Sequence, residues 1–182
     1  MKIGIDVSQV VYEGTGVSRY VKEMVLALTR LALEHEFVLF GGARSRRKEL
    51  QLFIDEVKRT GAKIRVVLLP FPPKVLDFLW NTLHIIPITW FTGPLDVFWS
   101  SDWTQPPLGK TIGITTIHDV SFLRYPESFS ASIRRVQKRR LKYAKKECSI
   151  FLCDSEATKR DCIELLGIAE SKLDIVYPGF SI

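Results

Sequence analysis

The sequence predicts a doubly wound α/β domain: one mostly parallel sheet of about seven strands, covered by helices on both faces. Three observations lead there. Short apolar runs recur along the 182 residues, and amphipathic stretches with apolar residues three and four apart separate most of them. The short runs are apolar on both faces, which suits strands buried on both sides, as in a parallel sheet. At 46% hydrophobic residues the chain is long enough for one well-buried core and too short for two full-sized domains.

The strand-like runs are Lys2 to Val7, Phe37 to Phe40, Ile64 to Leu69, Val97 to Ser100, Ile112 to Ile117, Ile150 to Cys153 and Leu173 to Val176. After the first, Val17, Tyr20, Val21, Met24, Leu28 and Leu31 repeat at helical spacing, and Leu50, Phe53, Ile54 and Val57 do so before Gly61. The Pro70 to Phe91 stretch begins with an extended Pro-Phe-Pro-Pro run. Val75, Leu76, Leu79, Leu83 and Ile86 then predict a helix ended near Pro87. Ser155 is placed to cap a helix that runs to Leu166, where Gly167 supplies a stop by tolerating positive φ.

Composition excludes several classes. A charged fraction of 25% with 11% aromatics is ordinary for a globular chain and unlike a disordered one. Cys148, Cys153 and Cys162 form no Cys-x-x-Cys pair and have no histidine cluster nearby, so they read as buried thiols rather than a disulfide framework or zinc site. The short apolar start is unlike a signal peptide, and the most apolar segment, Leu83 to Phe91, is about half the ~20 residues a spanning helix needs. The expectation is a cytoplasmic protein, placed at most at the inner face of the membrane. A formal net charge of +6 favours an anionic partner: phosphorylated substrate, membrane surface or nucleic acid.

In an open parallel sheet, ligands bind beyond the carboxyl ends of the strands. The loop after the first strand carries Gly14, Thr15 and Gly16 where the first helix opens, with Arg19 one turn in. Backbone N–H groups there can approach a phosphate, which the helix dipole also favours, although the same glycines suit a bare tight turn. The third glycine and later acid of a dinucleotide fingerprint are missing, which disfavours a nicotinamide site. His118 and Asp119 follow the fifth strand, where an imidazole can bond a sugar hydroxyl or simply its own backbone. Ser155 opens a helix beside them. Asp102 and Trp103 follow the fourth strand, and Trp103 could stack on a sugar ring or pack inward. His35 ends the first helix and His84 lies in an apolar helix, so neither has a functional placement.

The segment Ser130 to Glu147 is a strongly basic helix. At 100° per residue, Ile133, Val136, Leu141, Tyr143, Ala144 and Cys148 fall on one arc. Arg134, Arg135, Lys138, Arg139, Lys142, Lys145 and Lys146 fall on the opposite one, a cationic stripe suited either to solvent or to anionic lipid. Arg140 falls inside the apolar arc and needs a carboxylate or carbonyl partner there, as a structural anchor or a cleft residue.

Four segments, Gly14-Thr-Gly-Val-Ser-Arg-Tyr, His118-Asp-Val-Ser-Phe-Leu-Arg-Tyr-Pro-Glu, Ser155-Glu-Ala-Thr-Lys-Arg-Asp and Lys172-Leu-Asp-Ile-Val-Tyr-Pro-Gly, lie in this order at the ends of alternating strands. Together they resemble the first domain of family four, group one GT-B glycosyltransferases, nearest their mannosyltransferase-like branch, and the likeness covers nearly the whole chain. The resemblance implies a single Rossmann-like domain, the N-terminal half of a GT-B fold. It also implies transfer of a hexose, with retention, from a nucleotide sugar to a glycan or lipid-linked acceptor, with no metal and no other cofactor. Gly14, Thr15 and Gly16 would face the donor diphosphate, and His118, carried over as the catalytic residue, would contact the transferred sugar or acceptor. Arg19, Asp102, Trp103, Asp119 and Ser155 would lie in the acceptor cleft. The family's donor-binding second domain has no counterpart in residues 1–182, and Ile182 falls where its interdomain linker would be. These residues alone are therefore expected to be inactive.

Two other readings compete. One is a non-catalytic α/β binding module that lays its basic helix on an anionic membrane or nucleic acid, although aromatics are not interleaved with the stripe and no nucleic-acid signature is present. The other is a small nucleotide-binding enzyme complete in itself, which the missing phosphate loop disfavours.

Overall fold

A computed structural model describes residues 1–42 and 46–179. Ile182, where the interdomain linker was expected, lies outside the described residues. Among them, seven strands form one parallel sheet: β1 (Lys2–Asp6), β2 (Glu36–Gly42), β3 (Lys63–Leu69), β4 (Val97–Ser100), β5 (Ile112–Ile117), β6 (Cys148–Cys153) and β7 (Leu173–Ile175). The order is β3-β2-β1-β4-β5-β6-β7. The chain winds outward from β1 to β3, crosses to the other side of β1, and winds outward again. Every expected strand is present, with β2, β3 and β6 starting earlier than their apolar runs and β1 and β7 ending one residue sooner.

Each helix follows from its local sequence. In α1 (Gly16–Leu31), Thr15 is the N-cap and its hydroxyl accepts from the Ser18 N–H. Tyr20, Val21, Val25 and Leu26 enter the core, whereas Leu31, placed on the apolar stripe by periodicity, is exposed at the last helical position before the turn. In α2 (Arg47–Lys58) the four predicted core residues, Leu50, Phe53, Ile54 and Val57, are all buried. In α7 (Glu156–Leu166) the Ser155 hydroxyl accepts from the Thr158 N–H and Gly167 closes the helix at φ +62°. His35 lies beyond the end of α1, in the turn into β2, with its Nε2 3.5 Å from a Glu34 carboxylate oxygen.

The stretch predicted as a helix from Val75 to Ile86 takes another form. A single α turn, α3 (Pro73–Leu76), runs into a π-helix at Asp77–Leu83, which stops at His84 in the left-handed region (φ 52°), short of Pro87. Tertiary partners account for the widened turns. Trp80 is fully buried and its indole N–H donates to the Ile86 carbonyl, while buried Asn81 donates to Asp77 and to the Trp103 carbonyl and accepts from the Gln105 N–H. His84 is no member of an apolar helix: its Nδ1 lies 3.0 Å from the Trp80 carbonyl, and its Nε2 lies 2.9 Å from Glu147. Two further short turns, α4 (Thr89–Thr92) and α5 (Ser121–Arg124), precede the long basic α6 (Ala131–Glu147), which Ser130 caps.

Three apolar clusters fill the domain. One packs α1 and α2 on β1 to β3, a second packs α6 and α7 on β5 to β7, and a third gathers Phe40, Leu76, Trp80, Ile88 and Phe98 beneath the π-helix. The three cysteines are free and buried. Gly113 allows a close approach of side chain and backbone together: a Cβ there would lie 2.5 Å from a Leu108 methyl and 2.6 Å from the Glu147 carbonyl oxygen, whereas one on Gly16 meets open space. Gly113→Ala is accordingly expected to lower stability by about 1–3 kcal/mol through overpacking. Gly16→Ala should stay within ~0.5 kcal/mol, as exposed substitutions do. Urea unfolding of the two variants checks the contrast.

Candidate functional site

The winding direction reverses between β1 and β4, so a crevice opens beyond the carboxyl ends of those neighbours. A cavity of about 480 Å³ occupies it, with Ser8 and Gln9 after β1, Gly42 at the end of β2, and Ser101 to Thr104 after β4 among its walls. Thr15, Asp102 and Trp103 line this cavity. A second cavity, of about 510 Å³, lies beside it along the same rim, lined by Gly16, Arg19, Tyr20, His118, Asp119 and Asp154. Val17 lines both.

The predicted residues therefore converge on one rim but divide between two compartments. Gly16, Arg19, His118 and Asp119 share one; Thr15, Asp102 and Trp103 share the other. Gly14 lines neither and provides the left-handed turn (φ +82°) that brings Thr15 to its capping position. Ser155 is committed to its cap and to a 2.9 Å contact with the Thr158 hydroxyl. At the amino terminus of α1, the Gly16 and Val17 N–H groups have no acceptor among the described residues, the orphan donors every helix start exposes.

His118 is held from three sides. Its Nδ1 lies 3.2 Å from an Asp154 carboxylate oxygen, its carbonyl accepts from the Thr158 hydroxyl, and the Tyr20 ring meets it edge-on at 5.1 Å. The Asp154 contact fixes the ring orientation and leaves Nε2 without a protein partner among the described residues. Tyr20, Asp154 and Thr158 were missed by the sequence reading. Asp154 carried one available signal, its place at a strand's carboxyl end directly before a capping serine.

Beneath the rim lies a buried ionic group. Arg140 is 1% exposed, and its guanidinium donates to the Ser101 and Thr116 carbonyls and to the Thr115 hydroxyl. Burial pushes its pKa down, and the nearby Asp102 charge pulls it up. Carbonyls rather than a carboxylate are thus its direct partners. Asp102 has its Oδ1 fully covered and unpartnered. Burial raises its carboxyl pKa, against the charges of His118 and Arg140. Asp6, at the end of β1, is likewise raised by burial although its Oδ1 accepts from the Ser8 N–H. Burial, opposed by Arg140, pushes the Cys148 thiol up to about 12, which leaves it unreactive at neutral pH.

The cationic stripe is narrower than predicted. Arg135, Lys138, Lys142, Lys145 and Lys146 are exposed, but Arg134 and Arg139 are half-buried. Arg139 turns to the π-helix, donating to Thr82 Oγ1 and pairing with Asp77 at 3.8 Å. Ile133, assigned to the apolar arc, is 39% exposed, because the first turn of α6 reaches past the core.

A family model described as Glycosyltransferase Family 4 matches residues 14–182. The chain belongs to that family. As a Glycosyltransferase Family 4 domain it has the seven-stranded parallel α/β sheet of a Rossmann-like GT-B half. No curated protein matches the chain. Solved structures similar to it include a short-chain dehydrogenase from Oenococcus oeni PSU-1, at 10% identity over 98% of this chain and 96% of that one, with a TM-score of 0.44. Another is AtPrR2 in apo form, at 14% identity over 92% of this chain and 45% of that one, with a TM-score of 0.34. In this glycosyltransferase domain no helix among the described residues is long and apolar enough to cross a membrane, and no cluster of three metal-ligating side chains occurs.

Two expectations follow from the buried charges. Arg140→Ala strips the Ser101 and Thr116 carbonyls of their donor and leaves Asp102 uncompensated, so it should destabilise the fold by ~3–5 kcal/mol in urea titrations. An acid whose pKa is raised on folding contributes stability below its unfolded pKa, and that contribution is lost as pH climbs through the folded value. The contribution of Asp102 should therefore fall as pH rises above 3.8, and Asp102→Asn should gain on wild type over that window. A difference between the two that stays flat with pH would refute the burial of that carboxyl.

Proposed function

We propose that this domain forms the acceptor-side half of a retaining glycosyltransferase that moves a hexose from a nucleotide sugar to a glycan or lipid-linked acceptor, within the mannosyltransferase-like, group one branch. The observation that carries the reading is the 510 Å³ cavity, where the free amino terminus of α1 faces the same space as an imidazole oriented by a carboxylate. The exposed N–H groups of Gly16 and Val17 suit a diphosphate. His118 Nε2 suits a hydroxyl of the transferred sugar or of the acceptor, and Arg19 adds positive charge on that wall. The adjoining 480 Å³ cavity, with Asp102 and Trp103 in its walls, suits the acceptor.

In this reading the sugar passes through an oxocarbenium-like state, so neutralising the departing diphosphate matters more than a strong nucleophile. His118 acts by hydrogen bonding, and no metal enters. Donor nucleotide recognition falls to a second α/β lobe closing over the rim, so residues 1–182 by themselves are inactive.

Amide chemical-shift mapping with nucleoside diphosphate sugars tests this. Shifts should concentrate at Gly16, Val17, Arg19 and His118, and His118→Ala should weaken them. Shifts confined to the outer face of α6 would sink the assignment. Turnover of any nucleotide sugar by the 182-residue chain alone would refute the two-lobe requirement.

A further inference from the structure

Two thiols bracket the groups that hold His118. Cys153 is the last residue of β6 and Cys162 lies inside α7; both are wholly buried, and their sulfurs lie 4.0 Å apart. The chain between them carries Asp154, whose carboxylate orients the His118 ring, Ser155, which caps α7, and Thr158, whose hydroxyl donates to the His118 carbonyl. Two of the three contacts that fix His118 therefore lie inside the segment that a bond between these sulfurs would close. Packing as a small apolar group accounts for a buried thiol such as Cys148, which donates to Gln105 Oε1 at 3.4 Å. It places no demand for two sulfurs to meet between a strand end and a helix.

The pair is suited to oxidation. A disulfide holds its sulfurs at about 2.05 Å, so the two atoms need to close by roughly 2 Å, within reach of side-chain rotation with a small shift of α7. The two thiols also differ. The neighbouring Cys162 group lowers the Cys153 pKa, with Lys159 adding to the effect against burial, whereas Cys153 and burial push the Cys162 thiol up. Cys153 is accordingly the side that forms a thiolate, the species that attacks an oxidant. Neither sulfur touches solvent, so the reaction draws on local opening of α7, which packs over the β6–β7 edge of the sheet. Hydrogen peroxide is small and uncharged, and a brief opening admits it.

We infer that Cys153 and Cys162 are an oxidation site, joined reversibly into a disulfide by hydrogen peroxide, and that the bond repositions His118. In the first step the Cys153 thiolate attacks one peroxide oxygen; the O–O bond breaks, the sulfur becomes a sulfenic acid and hydroxide leaves. The Cys162 sulfur then attacks the sulfenic sulfur and the S–O bond breaks. The two departing hydroxides take up the two thiol protons as water. The sulfur pair loses two electrons and the peroxide gains two, and exchange with a dithiol reverses the bond. The bond draws the middle of α7 toward the end of β6, so Asp154 and Thr158 shift with the segment between. Any loss of sugar binding that follows rests on the glycosyltransferase reading of His118; the disulfide does not.

Treatment of the 182-residue chain with hydrogen peroxide tests this. Thiols titrated in the denatured protein should fall from three to one, and dithiothreitol should restore all three. Digestion without reductant by trypsin and chymotrypsin, which cuts after Phe151 and so separates Cys148 from Cys153, should yield one linked pair holding Cys153 and Cys162. The His118 ring resonances should move on oxidation and return on reduction. Cys148→Ser should behave as wild type, whereas Cys153→Ser and Cys162→Ser should form no linkage and keep their His118 resonances in place under peroxide. Circular dichroism establishes that each variant is folded, and the digestion decides the pairing in the wild-type chain alone. Three thiols surviving peroxide overturn the proposal. So does a linkage that includes Cys148 or joins two chains, or a sulfinic acid formed without a linkage. A Cys153–Cys162 linkage that leaves the His118 resonances unmoved refutes the repositioning. None of these arms contains a sugar, so their failure leaves the amide-shift test of the donor site untouched, and the converse holds.

Discussion

The carboxyl rim depends on one buried guanidinium. Arg140 reaches from the inner face of α6 to the ends of β4 and β5 and donates to the Ser101 and Thr116 carbonyls and the Thr115 hydroxyl. A charge without water must find oxygens, and these are the ones released where the two strands end their ladders. The contact ties α6 to the first residue of the loop after β4 and to the end of β5, the strand that leads into His118. Asn81 and Gln105 extend the same logic. Asn81 bonds the Trp103 carbonyl and the Gln105 N–H, and buried Gln105 bonds Ser100 and Cys148. A loop with few apolar anchors is thereby held by polar bonds that solvent cannot compete for.

That arrangement leaves a carboxyl, Asp102, with one oxygen covered and unpartnered close to both Arg140 and His118. Buried polar groups of this kind lower stability. Asp102 and His118 belong to different cavities, with Val17 between, yet they act on each other through a medium of low dielectric.

Much of the fold was legible in the residues themselves. The spacing of Leu50, Phe53, Ile54 and Val57 marked a buried helical face, and Ser155 with Gly167 marked both ends of another helix. Apolar runs marked all seven strands. The region after Pro70 was misread because its periodicity describes an ordinary α-helix, while Trp80 and Asn81 find partners that widen its turns. Arg139 and Ile133 were misplaced for a related reason. A helical wheel assumes one burial axis along its length, and α6 meets the sheet, the π-helix and solvent at different points.

The sequence by itself determined the sheet class, both ends of the helix between Ser155 and Gly167, the order of the polar loops and the family, because these follow from local periodicity and from short motifs at strand ends. Only the tertiary structure decided that the loops form two cavities, that Asp154 orients His118 from thirty-six residues away, and that the acids near the basic helix are already taken. Those outcomes depend on which distant side chains packing brings within hydrogen-bonding distance, and no local pattern encodes that.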